Sequence, residues 1–160
     1  MIETGTERDA LCGFLDEQRE ALIRTVHGLS DEDARRAPTV SSMSLLGLLK
    51  HSATWERRWF QVIVAGRARP GEWSGRDEER DPTFDLADED TVASVVAHYR
   101  EQIAISRQIV AGRDLGTPVV RTDLIDQNLR YVVIHMIEET ARHAGHADII
   151  RETIDGRRGL

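Results

Sequence analysis

Apolar residues recur at helical spacing in four long stretches of this sequence, and this pattern constrains the fold more than any other feature. The stretches cover residues 6–28, 41–65, 88–112 and 128–154, and alternating strand patterns are scarce. Each stretch carries one apolar stripe, which has to be buried against neighbouring helices. We therefore predict an all-α fold, a four-helix bundle built from a single domain over residues 1–160.

Capping and breaking residues place the ends of the predicted helices. Gly28 is a stop for the first helix, and Ser30 is an N-cap for a short helical turn over residues 31–37. Asn128 is an N-cap for the last helix, and the second helix begins among three serines, Ser41, Ser42 and Ser44. Residues 67–82 are rich in Arg, Gly, Asp and Glu, which predicts a long and functionally relevant loop containing Trp73.

Charge and cysteine content exclude some classes of protein. The net charge is −7 and the pI is about 5.4, which argues against nucleic acid as a partner because phosphate binding requires a basic surface. Cys12 is the only cysteine, so no intrachain disulfide can form, and a reducing cytosol is the expected compartment. No signal peptide and no membrane-spanning stretch is apparent, so we expect a cytoplasmic protein that does not contact membranes.

The last predicted helix concentrates residues that bind metals. It contains three of the six histidines, His135, His143 and His146, and the pair Glu138 and Glu139. Glu139 and His143 stand four residues apart, so both project from the same side of a helix, one turn apart. One carboxylate and one imidazole suit zinc and similar divalent ions. Two ligands do not complete a site, so another helix must provide a third.

His51, in the middle of the second helix, is the strongest candidate for the third ligand. It borders the apolar stripe that includes Trp55 and Trp59, whereas His27 lies at a helix end and His98 lies in the third helix. His51, Glu139 and His143 would leave a fourth position for water or a substrate, which is typical of a catalytic zinc site.

Other interpretations of the same residues remain open at this point. A histidine beside an apolar stripe is often a core residue, and a helical glutamate is often solvated. His146 or His135 could be a fourth ligand or could support the ligands without touching the metal, and we favour a supporting role for His146. Glu56 falls in an apolar sector, which favours an ion pair with an arginine of another helix.

The blocks SMSLLGLLKHSATWERRWF and HMIEETARHAGHADIIRE resemble the DinB-like superfamily, and in particular an actinobacterial branch related to mycothiol-dependent enzymes. The resemblance covers nearly the whole chain. It implies an up-down-down-up four-helix bundle, often a homodimer, with zinc or nickel on one histidine of the second helix and two ligands of the fourth. The matching positions here are His51, Glu139 and His143. Many members carry histidine where this chain has Glu139, whereas the mycothiol-dependent maleylpyruvate isomerases carry glutamate.

The resemblance implies a metal-dependent transferase or isomerase that uses a small thiol such as mycothiol and acts on an electrophilic substrate. The metal would stabilise the thiolate at neutral pH. Two alternatives use the same residues. One is a metal-dependent hydrolase, and the other is a non-catalytic binding protein in which a fourth protein ligand fills the open coordination position of the metal.

Overall fold

The computed structural model describes residues 5–68 and 81–157, and these form five α-helices with two other helical segments. The helices are α1 (Glu7–Arg24), α2 (Asp31–Arg35), α3 (Leu45–Glu56), α4 (Val92–Ala111) and α5 (Leu129–Asp155). A π-helical segment (Arg57–Val64) continues α3 without a break, and a 3-10 turn (Pro82–Phe84) precedes α4. The predicted all-α fold is confirmed, and α2 is the short turn expected after the first helix.

The predicted N-caps are confirmed by hydrogen bonds. Ser30, Ser44 and Asn128 each accept a bond from the backbone N–H three residues later, at about the distance of an ordinary hydrogen bond. Of the three serines considered for α3, Ser44 is therefore the cap. Gly28, with φ +74°, adopts the left-handed conformation in the turns that follow α1, although α1 itself ends earlier, at Arg24.

Contacts between the helices define their directions. Glu7 pairs with Arg130, and Arg151 near the end of α5 donates to the carbonyls of Thr25 and His27, so α1 and α5 run parallel. Lys50 pairs with Asp90 just before α4, and further along Gln61 donates to Gln102, so α3 and α4 are also parallel.

The two parallel pairs point in opposite directions. The first turn of α1 contacts the end of α4 through Arg8 and the carbonyl of Val110, whereas Glu20 pairs with Arg100 further back along α4. The order is therefore up, down, down, up for α1, α3, α4 and α5, as the resemblance implied. No helix within the described ranges is long and apolar enough to cross a bilayer.

The core has two apolar clusters, with a buried polar layer between them. One cluster includes Leu22, Ala53, Tyr99 and Ala144, and the other includes Leu15, Phe60, Ile109 and Met136. Along each long helix a buried polar residue lies between members of the two clusters: Arg19 in α1, Glu56 in α3, Ser106 in α4 and Thr140 in α5. The bundle interior is therefore polar at mid-height, where α3 passes into the π-helical segment.

Glu56 confirms the ion pair predicted from its position. It is fully buried and accepts two hydrogen bonds from the guanidinium of Arg19, which also donates to Asp16 at 2.7 Å and lies over the ring of Phe60. Three charged groups satisfy one another here, which is the arrangement that makes a buried charge tolerable.

The π-helical segment is a departure from the expected regular helix. The amide of Ala65 donates to the carbonyl of Phe60, five residues earlier, at 3.0 Å. The connection between α4 and α5 covers its end, because the amides of Val120 and Arg121 donate to the carbonyls of Val64 and Ile63. Such wide turns are rare and often occur at functional sites.

Candidate metal and substrate site

The three residues predicted as metal ligands line one cavity between α3 and α5. The cavity has a volume of about 670 Å³, large enough for a small organic molecule. His51 comes from α3, and Glu139 and His143 come from α5. The other lining residues are Ser52, Trp55, Arg58, Trp59, His135, Met136, Thr140 and Arg142.

His51 and His143 lie next to each other across the helix interface. Their ring centroids are 4.8 Å apart and the rings are nearly perpendicular, at 83°. Both side chains are largely buried, with 8 % and 13 % of their surface exposed. The pairing follows from the bundle, because Ala144 and Ala147 on the buried face of α5 belong to the same apolar cluster as Leu48 and Ala53 of α3.

Glu139 lies one turn from His143, as its spacing predicted. Its Oε2 is 4.0 Å from Nε2 of His143, and its Oε1 accepts a hydrogen bond of 2.8 Å from Arg142. Arg142 also donates to Glu138 at 2.9 Å, so Glu138 is a surface partner of this arginine. The carboxylate of Glu139 therefore lies between His143 and Arg142 on the cavity wall.

The 3-10 turn encloses the imidazole of His51. The Nδ1 atom lies 2.6 Å from Oγ1 of Thr83 and 3.6 Å from a carboxylate oxygen of Asp81, which caps the turn. The ring of Phe84 stacks on the imidazole at 3.9 Å, nearly parallel at 11°. The indole nitrogen of Trp55 also lies 3.2 Å from Nδ1.

Burial keeps His143 in a form suited to metal binding. Desolvation lowers the pKa of His143, and the opposing effect of the Glu139 carboxylate does not restore it. The ring is therefore neutral at pH 7, and neutral imidazole is the form that binds metals. Its Nδ1 is buried, with no hydrogen-bond partner among the described residues.

The remaining histidines divide into neighbours of the site and distant residues. His146 is a neighbour of His143, with ring centroids 6.1 Å apart, and its Nδ1 is also buried without a partner in the described part of the chain. His135 lies on the cavity wall, 4.4 Å from the ring of Trp59. His98 is half-exposed beside Glu101, away from the cavity.

The residues present fit a divalent cation by donor type. Two imidazoles and one carboxylate face one cavity, and His143 has a buried nitrogen without a partner in the described ranges. However, within residues 5–68 and 81–157 no three His, Cys, Asp or Glu side chains are gathered closely enough to hold an ion. In this arrangement Oε1 of Glu139 is held by Arg142 of the same cavity wall.

Several residues of the site were not identified from the sequence. Asp81 and Thr83 were assigned to the loop and the region after it, and Arg58 carried no spacing signal. Arg142 stands three residues after Glu139, a spacing that allows a contact but does not require one. The sequence Asp-Pro-Thr was an available signal, because Asp before Pro commonly caps a turn. The rest of the predicted loop, with Trp73, lies outside the described residues.

Comparisons with known proteins agree with this architecture. A family model described as Mycothiol-S-transferase matches residues 10–156. A solved structure described as the conserved protein of locus from Enterococcus faecalis superposes with a TM-score of 0.70 over 95 % of this chain and 99 % of that chain, at 14 % identity. At that identity the likeness concerns the fold alone. No curated protein matches the chain.

Proposed function

The chain belongs to the mycothiol S-transferase family, and we propose that it is a metal-dependent enzyme that transfers a small thiol of the mycothiol type to an electrophilic substrate, or isomerises a substrate with its help. The observation that carries the proposal is the position of His51 and His143, whose rings meet edge to face on the wall of a substrate-sized cavity. Glu139 on the same wall supplies the oxygen donor of the proposed set.

We assign His51, Glu139 and His143 as the metal ligands. When bound, a divalent cation supplies positive charge that favours a thiolate over a thiol at neutral pH. Zinc suits a set of two nitrogen donors and one oxygen donor, and nickel is the alternative. The neutral state of the His143 ring keeps a lone pair available for this role.

In the transfer reaction, the chemical step is a substitution at an electrophilic carbon. The sulfur of the thiol forms a bond to that carbon, the leaving group departs with its electron pair, and the thiol proton is released. The chain contributes by holding both reactants in one cavity in a fixed orientation, which lowers the entropic cost of bringing them together. Trp55 and Trp59 provide large apolar surfaces there, and the guanidinium of Arg58 lies 4.6 Å from the ring centroid of Trp55.

We further propose a cytoplasmic homodimer. Phe14 of α1, and Tyr131 and Ile134 of α5, are large apolar residues with 48 %, 41 % and 50 % of their surface exposed. These two helices are neighbours in the bundle, so their outer faces can form a common surface. A reducing compartment agrees with the single cysteine.

Activity panels distinguish this function from hydrolysis. The zinc-loaded protein is incubated with electrophiles with and without added thiol, and in parallel with esters and amides. We expect turnover only when a thiol is present, and at least tenfold less in Glu139→Gln. Turnover of esters or amides without thiol would identify a hydrolase, and inactivity in every panel, with metal bound, would support a binding protein.

A further inference from the structure

The 3-10 turn holds the edge and one face of the His51 ring. Phe84 covers the face, and Thr83 and Asp81 lie along the edge that carries Nδ1. All three belong to one short segment, in which Asp81 accepts hydrogen bonds from the backbone N–H of Thr83 at 3.0 Å and from its hydroxyl at 2.6 Å. These three contacts to His51 are therefore made by one unit that is ordered by its own hydrogen bonds.

The direction of the hydrogen bonds in this unit follows from the carboxylate. The hydroxyl of Thr83 has one proton, and at 2.6 Å from an acceptor-only oxygen of Asp81 that proton points to Asp81. Oγ1 of Thr83 can then only accept a bond from Nδ1 of His51, which lies at the same distance on its other side. His51 must therefore carry its proton on Nδ1.

The second contact of Nδ1 does not overturn this assignment. The indole N–H of Trp55 lies 3.2 Å from Nδ1, and a donor there would require a lone pair on that nitrogen. A lone pair on Nδ1 would turn the Thr83 proton toward His51 and leave two oxygen acceptors 2.6 Å apart with no proton between them. We give the shorter contact to Thr83 the greater weight, because two oxygens 2.6 Å apart without a proton between them repel strongly. The indole N–H of Trp55, at the longer distance of 3.2 Å, then faces the N–H of His51 and loses its hydrogen bond there.

We propose that Thr83 and Asp81 are positioning residues that fix His51 in the tautomer protonated on Nδ1. The other ring nitrogen, Nε2, then carries the lone pair at the opposite edge of the ring, as a histidine ligand requires. Histidines that bind metals usually donate their second nitrogen to such a partner, and loss of the partner weakens metal binding 10–100-fold. This inference rests on the proposed function for its role, but the tautomer can be measured without any metal.

The first test is ¹⁵N NMR of the histidine rings in metal-free protein at mildly alkaline pH. We expect His51 to show a protonated Nδ1 in the wild type and in Thr83→Ser, and a mixture of tautomers in Thr83→Val. A proton on Nε2 in the wild type, or an unchanged tautomer in Thr83→Val, would overturn the proposal.

The second test is zinc affinity measured by competition with a chelator. Thr83→Val and Asp81→Asn should each weaken binding about 10–100-fold, and Thr83→Ser should stay within about threefold of the wild type. Thr153→Val is the matched control, because Thr153 is an exposed threonine of α5 whose hydroxyl donates to the carbonyl of Ile149 in the same helix. Unchanged zinc affinity in Thr83→Val and Asp81→Asn would contradict the inference. A wild type that binds no zinc would contradict the proposed function, and the NMR experiment would then decide whether Thr83 and Asp81 fix the tautomer of His51.

Discussion

The imidazoles of His51 and His143 lie edge to face, with ring centroids 4.8 Å apart, although one belongs to α3 and the other to α5. Neither ring is placed there by local sequence alone, because the contact exists only when the two helices pack along their apolar stripes. The geometry of the candidate site therefore depends on the stability and the register of the bundle.

The buried ion pair between Arg19 and Glu56 provides a test of the polar layer. Glu56→Gln removes the charge that Arg19 faces in the interior, so we expect a loss of about 3–5 kcal/mol in the free energy of unfolding. Urea unfolding followed by circular dichroism measures this change. Glu20→Gln breaks an exposed pair between α1 and α4 and should cost less than about 1 kcal/mol.

The double variant Arg19→Met with Glu56→Leu separates two explanations for that loss. If the destabilisation comes from leaving a buried charge without its partner, removal of both charges should restore most of the free energy of unfolding. A double variant as unstable as Glu56→Gln would show that the pair itself is favourable beyond mutual neutralisation.

Gly47 allows the 3-10 turn to approach α3. A Cβ at this position would lie 2.9 Å from the carbonyl oxygen of Phe84, a backbone atom that cannot move independently of the turn. We expect Gly47→Ala to displace the turn from His51 and to weaken zinc binding at least tenfold, while the helix content stays unchanged.

Gly145 is the matched control for this substitution. It lies in the middle of α5, where an added Cβ meets no atom of the described residues within 4 Å. Gly145→Ala should stabilise the protein by about 0.5–1 kcal/mol through helix propensity and leave zinc affinity within about twofold. Equal effects of the two substitutions on zinc affinity would contradict the role assigned to Gly47.

The pair of Asp90 and Lys50 predicts a pH dependence of stability. Burial raises the pKa of Asp90, but hydrogen bonds from Lys50 and from the amide of Ala87 outweigh it, so the pKa lies below its usual value. The folded state then binds fewer protons than the unfolded state, and this contribution is complete above the unfolded pKa of about 3.9 and lost as pH falls through the folded pKa.

Urea unfolding of Asp90→Asn across a pH series measures that contribution. The variant should be less stable than the wild type by about 1 kcal/mol at neutral pH, and the difference should close in the acid range below pH about 4. Asp88→Asn, an exposed carboxylate in the same connection, should leave the free energy of unfolding within about 0.5 kcal/mol throughout. A difference for Asp90→Asn that does not change with pH would contradict the account.

Local physical signals explain which features could be predicted. The helices and the N-caps Ser30, Ser44 and Asn128 follow from periodicity and capping, which are short-range effects. The partner of Glu56 was predictable as a type, an arginine of another helix, because a buried carboxylate requires a positive charge.

Features that helical periodicity and capping do not determine could not be predicted. The π-helical segment is defined by backbone hydrogen bonds between residues five apart. The spacing of apolar side chains does not indicate whether a helix makes these bonds or ordinary α-helical ones. Thr83 contacts His51 because residues 81–84 pack against α3. The sequence of a connection does not indicate which helix the connection will pack against. Arg142 competes for Glu139 as a neighbour on the same helix, a contact that spacing alone allows but does not require.

The most direct test of the account is the zinc stoichiometry of reconstituted protein, measured by equilibrium dialysis and elemental analysis. We predict about one zinc per chain for the wild type and for His98→Ala, whose histidine is half-exposed beside Glu101, and less than about a tenth of that for His143→Ala. Well under one equivalent in the wild type, or full occupancy in His143→Ala, would contradict the assignment of His51, Glu139 and His143 as the metal site.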